Sequence, residues 1–475
     1  MVGGQTHAVV MGASVAGLLA ASALVRHVDA VTVVERDRLP SGPQPRRGVP
    51  QACHTHLLLS SGLRSFEALV PSIWDRLREA GANRAPLSTG AVLLSSQGWL
   101  RRFPGDQFLV TCSRNLLEYV LRAEILRQDR ITVAQGCLAE GLRGGNARVD
   151  AVVVRDEATG ERRELEADFV VDATGRASRA GAWLDRLGYP KAREDVLDPG
   201  LAYVTRVFRA PPGAATSFPV VNVMADPSSG EPGRAVTLAP IEHGRWMVTL
   251  GGTRGAEPPT TEDGFARFAR TAVRHPIVAD LIEHAEPLGP VRSSRSTVNR
   301  RYRFDRLPRW PANLVVMGDA LAAFNPVYGQ GMTVAARAAL VLNAGLSHDG
   351  LGANAAHRIQ RVIGRATDDA WNLACGQDMW FPGALERRPS QWARLQQRYI
   401  DRVMKTATSE PDVAEIVFDV FSLSRPVTAF ANPKVALAAL RGPGQPPLDE
   451  PPLTPEEWSR VVSGPEDSVV PKERR

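Results

Sequence analysis

The chain has 475 residues, of which 44% are hydrophobic, and a formal net charge of +6. That length suits two or three interleaved domains, and the hydrophobic fraction is ordinary for a globular core and too low for a membrane protein; no apolar run approaches the span of a membrane helix. The charge is carried almost wholly by arginine, since Lys191, Lys405, Lys434 and Lys472 are the only lysines, and no dense basic block interleaved with aromatics marks a nucleic-acid surface.

The N-terminus passes straight into a glycine motif with no basic start or cleavage site, so the expected location is cytoplasmic and unprocessed. Residues 7–11 read as a short apolar strand, 18–27 as a helix and 30–34 as a second strand. Between the first two lies Gly12-Ala-Ser14-Val-Ala-Gly17, a dinucleotide turn with Ser14 at its middle glycine. In such a turn the first glycine permits the tight bend and the last lets helix and strand pack closely. A pyrophosphate sits on the helix N-terminus, and an acid about twenty residues on, here Glu35, binds ribose hydroxyls.

The segment Arg46-Arg47-Gly48-Val49-Pro50-Gln51 follows, then Cys53, His54 and His56. Two histidines at spacing two invite a metal reading, but no partner set lies at zinc-site spacing, so no metal is assigned. Cys53, Cys112, Cys137 and Cys375 form no C-x-x-C and fit free thiols in a reducing compartment. Residues 57–69 read as helix, 91–94 and 107–111 as strands. Ser113 is an N-cap candidate for a helix over 115–126 that opens beside Arg114. Strands are expected at 131–134 and 147–155, and 162–167 completes a hairpin. An apolar strand then leads into Asp172-Ala-Thr-Gly175-Arg-Ala-Ser178.

Runs at 200–208, 220–224, 234–239 and 246–251, bounded by Pro and Gly, read as an antiparallel sheet. Helices follow at 261–273 and 277–284. The stretch 292–306 holds six arginines and reads as a solvated face, with the alternative of attracting a phosphorylated nicotinamide. Next come an apolar strand at 314–317, the pair Gly318-Asp319, the loop Phe324-Asn325-Pro326-Val-Tyr-Gly329-Gln-Gly331, and an Ala-rich helix from Met332 to 342. Strand, acidic turn, glycine loop and helix place a carboxylate and a helix N-terminus on one side of a sheet. Four further helices are expected, at 355–375, 390–408, 413–423 and 433–441, before a Pro/acid-rich tail at 442–475 whose end, from about 464, is expected to be disordered.

Three of these segments together resemble the fingerprints of the single-component (group A) FAD-dependent monooxygenases, the family of aromatic hydroxylases and squalene-type epoxidases. The resemblance implies that Gly12, Ser14, Gly17, Glu35 and Arg36 hold the adenosine half of FAD. It implies that Gly318 and Asp319 hold the ribityl and pyrophosphate region, and that Pro326, Gly329, Gly331 and Met332 meet the flavin ring. Arg114, and Arg46 or Arg47, match the arginines that lie along the pyrophosphate. The third fingerprint, D-G-x-x-S-x-x-R, matches imperfectly: aligned on Gly175 and Ser178, its acid becomes Thr174, and Asp172 lies two residues earlier. That weakens a nicotinamide role more than an FAD role. The form R-G-x-P-Q-x-x-H-x-H-L looks like the bacterial epoxidases of polyether polyketide precursors, the lasalocid and monensin type. His54 and His56 then line the flavin pocket or are satisfied by backbone carbonyls, and Phe324 and Asn325 join them in the substrate pocket.

The implied fold is α/β, a Rossmann-like FAD-binding domain of the para-hydroxybenzoate hydroxylase type interleaved with an antiparallel substrate sheet, plus C-terminal helices. The implied boundaries are 1–75, 105–185 and 291–345 for FAD, 76–104 and 186–290 for substrate, and 346–441 for the helices. The implied activity uses NADPH or NADH and O₂ through a flavin hydroperoxide, so no protein group is needed as the oxygen carrier. Epoxidation of an apolar polyketide or terpenoid in antibiotic-type secondary metabolism is the leading expectation. Aromatic hydroxylation, alkene reduction and a non-enzymatic flavin sensor are the alternatives. No second nucleotide turn and no tryptophan-halogenase W-x-W-x-I-P signature is present. The expected assembly is a monomer or homodimer.

Overall fold

Five short β-branched runs build the central sheet, because a parallel sheet is covered on both faces and its strands are apolar throughout. In the computed structural model, which describes residues 5–386 and 389–462, these are β1 (His7–Met11), β2 (Ala30–Glu35), β3 (Ile131–Gln135), β4 (Phe169–Asp172) and β5 (Leu314–Val316). All pair in parallel, in the order β5-β4-β1-β2-β3. Val9, Val10, Val170, Val171, Val315 and Val316 are fully buried. The register matters most for function. Met11 pairs with Asp172 and with Val34, and Asp172 pairs with Val316. Four strands therefore end level, and the turns after them open along one edge, where α/β sheets bind ligands. Helices α1 (Val15–Leu24), α2 (Arg114–Ile125) and α3 (Gly331–Asp349) pack together beside this sheet.

A second sheet of seven strands lies apart, in the order 286–294, 202–209, 245–252, 234–241, 220–223, 91–95 and 98–99. It is antiparallel as expected except where Val220–Val223 pairs in parallel with Ala91–Ser95. Side chains alternate across it. Val236, Leu238, Val248 and Leu250 pack towards helices Glu262–Thr271 and Ile277–Glu283. Their neighbours Ala235, Thr237, Thr249 and Gly251 face the other way, into a cavity. Helices Gln391–Ala407, Pro411–Phe421 and Pro433–Arg441 form a small core of their own around Val403, Val417 and Phe430. Among the described residues, no helix is long and apolar enough to cross a membrane.

Three local expectations change. Residues 57–69 are not one helix: Leu57–Leu59 is a strand paired with Phe108–Thr111, and the helix begins at Ser60. Three consecutive leucines have no polar face, and cross-strand burial decides their state. The helix expected over 355–375 is two, Ala355–Ala366 and α4 (Asp368–Asp378), meeting at Thr367. The tail is ordered as far as it is described. Thr454 and Glu457 cap the helix Pro455–Val462 reciprocally, by Glu457 N to Thr454 Oγ1 at 3.1 Å and Thr454 N to Glu457 Oε2 at 2.9 Å. Val461, 3% exposed, seats that helix on the seven-stranded sheet unit. The disorder expected from about residue 464 lies outside the described residues.

Candidate functional site

The level ends of β1, β2, β4 and β5 open into a cleft of about 430 Å³. Gly12 turns out of β1 at φ +100°, and an added Cβ would lie 2.6 Å from the Ala173 carbonyl oxygen. Only glycine fits that turn. At Gly17 a Cβ would run into the Gly12 carbonyl, so the first turn of α1 lies hard against the strand. Gly17 itself shapes the turn without lining the cleft, whereas Ser14, Val15 and Ala16 line it. The Ser14 hydroxyl does not cap α1. It donates to Glu118 Oε2 and accepts from Arg114 Nη2, both at 2.9 Å. The N–H groups of the first turn thus remain available to an anion.

Behind the turn sits a buried charge network that sequence reasoning saw only in part. Arg46 meets Glu35 at 3.1 Å, Asp37 at 3.2 Å and Glu118 at 2.6 Å, and Arg114 meets Glu118 at 2.9 Å. All five side chains are at most 10% exposed. Burial opposes the charge on Arg46, but Glu118 and Glu35 outweigh it and hold the guanidinium pKa above its usual value. Burial likewise pushes Glu118 up, and Arg114 and Arg46 together bring it below the usual carboxylate range. Glu35 also accepts from Ala13 N at 2.8 Å and Asp37 N at 3.0 Å, which fixes its carboxylate at the cleft. Asp37 anchors the R-R-G segment through Gly48 N at 2.6 Å. Arg36, Arg46 and Arg114 line the cleft; Arg47 is exposed and does not. Glu118 was findable, since it lies one turn after Arg114 on α2; Asp37 carried no such signal.

The far wall comes from β4 and β5. Asp172 is fully buried and lies behind this wall. It accepts from Thr174 N at 2.9 Å, Thr174 Oγ1 at 2.6 Å and Ser178 Oγ at 2.6 Å. Its task is to shape the turn that presents Thr174, Gly175 and Arg176 to the cleft. Arg176, passed over in the sequence, stands 3.6 Å from Asp319 and donates to Val298 O at 2.8 Å. Gly318 (φ +62°) and Gly329 (φ +64°) need the left-handed region that glycine favours. Asp319, Phe324, Asn325, Pro326, Gly329, Gly331 and Met332 all line the cleft, with the start of α3 behind them.

The cleft shares His56, Leu57, Pro326 and Gly329 with an apolar cavity of about 170 Å³. That cavity adjoins another of about 580 Å³ across Val327, Tyr328, Met404 and Phe421. Leu59, Leu93, Leu109, Val220 and Phe418 line the smaller one. His54 lines it too, with Nδ1 2.7 Å from Thr205 Oγ1 and a buried Nε2 that has no partner among the described residues. His56 Nδ1 lies 2.8 Å from the His54 carbonyl oxygen. Burial lowers both histidine pKa values to about 4, aided at His56 by Arg114, so both rings are neutral at pH 7. Asn325, 2% exposed, borders both the cleft and the larger cavity.

These residues suit a flavin dinucleotide. Two helix starts, glycine turns and a fixed carboxylate converge on one cleft, and Arg114 Nη1 is buried there without a protein partner. Comparison with known proteins agrees. Residues 5–361 match the model of an FAD binding domain. Protein Rv3254 of Mycobacterium tuberculosis is 31% identical over 431 residues, 88% of this chain and 90% of that protein. The flavin-dependent brominase Bmp2 superposes with a TM-score of 0.62 at 12% identity, covering 88% of this chain and 94% of its own. A flavoprotein/dehydrogenase from Cytophaga hutchinsonii superposes with a TM-score of 0.61 at 15% identity, covering 91% and 96%. At those identities the two structures speak for the fold alone, whereas the match over residues 5–361 places this chain in the FAD binding domain family of flavin-dependent monooxygenases and halogenases, with FAD as its cofactor.

Proposed function

We propose that the protein is an FAD-dependent monooxygenase that consumes NAD(P)H and O₂ and places one oxygen atom on an apolar polyketide or terpenoid, by epoxidation of an alkene. The observation that carries this reading is the apolar cavity bordering the cofactor cleft through His56, Pro326 and Gly329. Bound FAD supplies the oxygen activation. The chain's part is to hold, orient and keep dry. Gly12, Ser14, Glu35, Arg36, Arg46 and Arg114 take the adenosine and pyrophosphate end, with Gly17 shaping the helix start. Gly175, Gly318, Asp319, Gly331 and Met332 take the flavin end, and Asp172 sets the turn before Gly175. His54, Phe324 and Asn325 stand towards the substrate. Epoxidation of an electron-rich alkene needs a fitted apolar pocket and no base, which suits two neutral histidines. The match of the R-G-x-P-Q-x-x-H-x-H-L segment to polyether-type epoxidases supports the same choice.

In this reading the parallel-sheet unit binds FAD, the seven-stranded sheet roofs the substrate, and the enzyme works in the cytoplasm, where NAD(P)H is regenerated. The test is product mass spectrometry with FAD, NADPH, candidate polyenes and ¹⁸O₂. One labelled oxygen per product supports the reading, and a product gaining two hydrogens and no label replaces it with alkene reduction. Aromatic hydroxylation is a second reading, favoured by Tyr328, whose hydroxyl lies 2.7 Å from Asp378 Oδ1. A substrate phenol can pass its proton to Tyr328 as Tyr328 passes its own to Asp378.

A further inference from the structure

Asp378 ends α4 and is 1% exposed, yet it lines the 580 Å³ cavity. Its Oδ2 accepts from Asn299 Nδ2 at 2.6 Å and from Asn325 Nδ2 at 2.8 Å, and its Oδ1 from the Tyr328 hydroxyl at 2.7 Å. The amide orientations follow from two backbone donors. Asn325 N donates to Asn299 Oδ1 at 2.7 Å, and Val327 N donates to Asn325 Oδ1 at 3.1 Å. Each N–H claims the oxygen end of an amide, which leaves both NH₂ ends for Asp378. Tyr203 also donates to Asn325 Oδ1, at 3.3 Å. An oxygen facing two NH₂ donors must be an acceptor, so Asp378 is framed as a carboxylate. Burial pushes its pKa up, and the three donors oppose that.

No Lys, Arg or His among the described residues lies within 4 Å of it. A buried carboxylate is ordinarily paired with a cation or fully hydrogen-bonded. This one has capacity left: Oδ1 has taken one donor, and Tyr328 Oη has spent its hydrogen and keeps a lone pair. Tyr328 also borders the smaller cavity next to Gly329 of the cofactor cleft. The polar spot in an otherwise apolar chamber is thus acceptor-only, and it stands beside the loop that approaches the cofactor.

We propose that the substrate carries a hydrogen-bond-donating head group, a hydroxyl or a protonated amine, which docks on Asp378 Oδ1 and Tyr328 Oη while its apolar body fills the cavities. This rests on the reading that these cavities hold the substrate. A site built to hydrogen-bond a group discriminates against an analogue that lacks the donor, because its own buried groups are then left unpaired.

The test is calorimetric binding to the FAD-loaded enzyme at pH 7 of three probes on one skeleton: 2-naphthylmethanol, 2-naphthylmethylamine and the methyl ether of the alcohol. At least one donor-bearing probe should bind about tenfold or more tightly than the ether. The stronger of the two tells hydroxyl from ammonium. Tyr328→Phe and Asp378→Asn should each cut that preference to below about threefold, with FAD content and ether binding retained. Equal binding of all three probes, no binding of any, or a preference that survives both substitutions overturns the proposal. The wild-type comparison decides the matter alone if either variant misfolds. Loss of ¹⁸O incorporation with the preference intact would sink the oxygenase reading and leave this one standing.

Discussion

His54 and His56 owe their neutrality to burial, and this has a consequence for pH. Their folded pKa values, about 4, lie below the ordinary 6.5. Above pH 6.5 both states of the chain hold neutral rings, and no penalty exists. As pH falls from 6.5 towards 4, the unfolded chain takes up protons that the folded one refuses, so stability is lost. At pH 5 the loss is about 2 kcal/mol for each histidine. Thermal melts at pH 7.5 and 5 should therefore show a smaller drop for His54→Asn than for the wild type; an equal drop would mean that His54 is not buried neutral. Glu35 has two tasks, facing the cleft and serving Ala13 N and Arg46. Glu35→Ala should lower FAD affinity by about tenfold or more and also cost about 1–3 kcal/mol of apoprotein stability. Asp319 has a single contact, Arg176 at 3.6 Å, and a side chain 36% exposed. Asp319→Ala should weaken FAD binding with little change in the apoprotein melt. Dialysed holoprotein absorbance separates the two effects, and an unchanged yellow Asp319→Ala protein would remove that carboxylate from the site.

At the level of elements, the cleft depends on how α1 and α2 are pinned. Ser14 occupies the middle-glycine position of the turn because its hydroxyl bridges Glu118 and Arg114, a contact between α1 and α2 that no glycine can make. Glu118 is the joint, since it balances both Arg46 and Arg114. Glu118→Ala leaves two buried guanidinium groups short of counter-charge, and breaking such a pair costs about 3–5 kcal/mol. Denaturant titration of the apoprotein measures it, and a loss below about 1 kcal/mol would show that water already screens the network. Gly17→Ala should be worse for function than its size suggests. The added methyl meets the Gly12 carbonyl, so either α1 or the turn must move, and the N–H groups aimed at the cleft move with it.

Across the whole molecule, distant segments close the same chambers. The substrate cavity is walled by residues from 54 to 59, by the seven-stranded sheet and by Met404, Phe418 and Phe421 of the C-terminal helices. The last helix, Pro455–Val462, is held by Arg102 on Glu457 at 2.6 Å and by Val461 in the sheet core. Removing residues 453–475 should lower the melting temperature and leave FAD bound, since the cofactor cleft has no wall from that segment. The parallel sheet, the glycine turns and the order of the cofactor segments were legible in the sequence. Short β-branched runs ending in Gly or Asp permit few other structures, and Gly12, Gly318 and Gly329 mark backbone conformations that other residues rarely adopt. Three things were decided only by tertiary structure. Arg47 faces solvent while its neighbour Arg46 is clamped by Glu35, Asp37 and Glu118. Asp172 supports the cleft wall from behind. Asp378 reaches the cavity from 50 residues past Tyr328. Local pattern reports periodicity and backbone freedom within a few turns of chain, whereas the partner of a buried charge is set by which strand ends fall level and which helices then meet, and no local pattern carries that information.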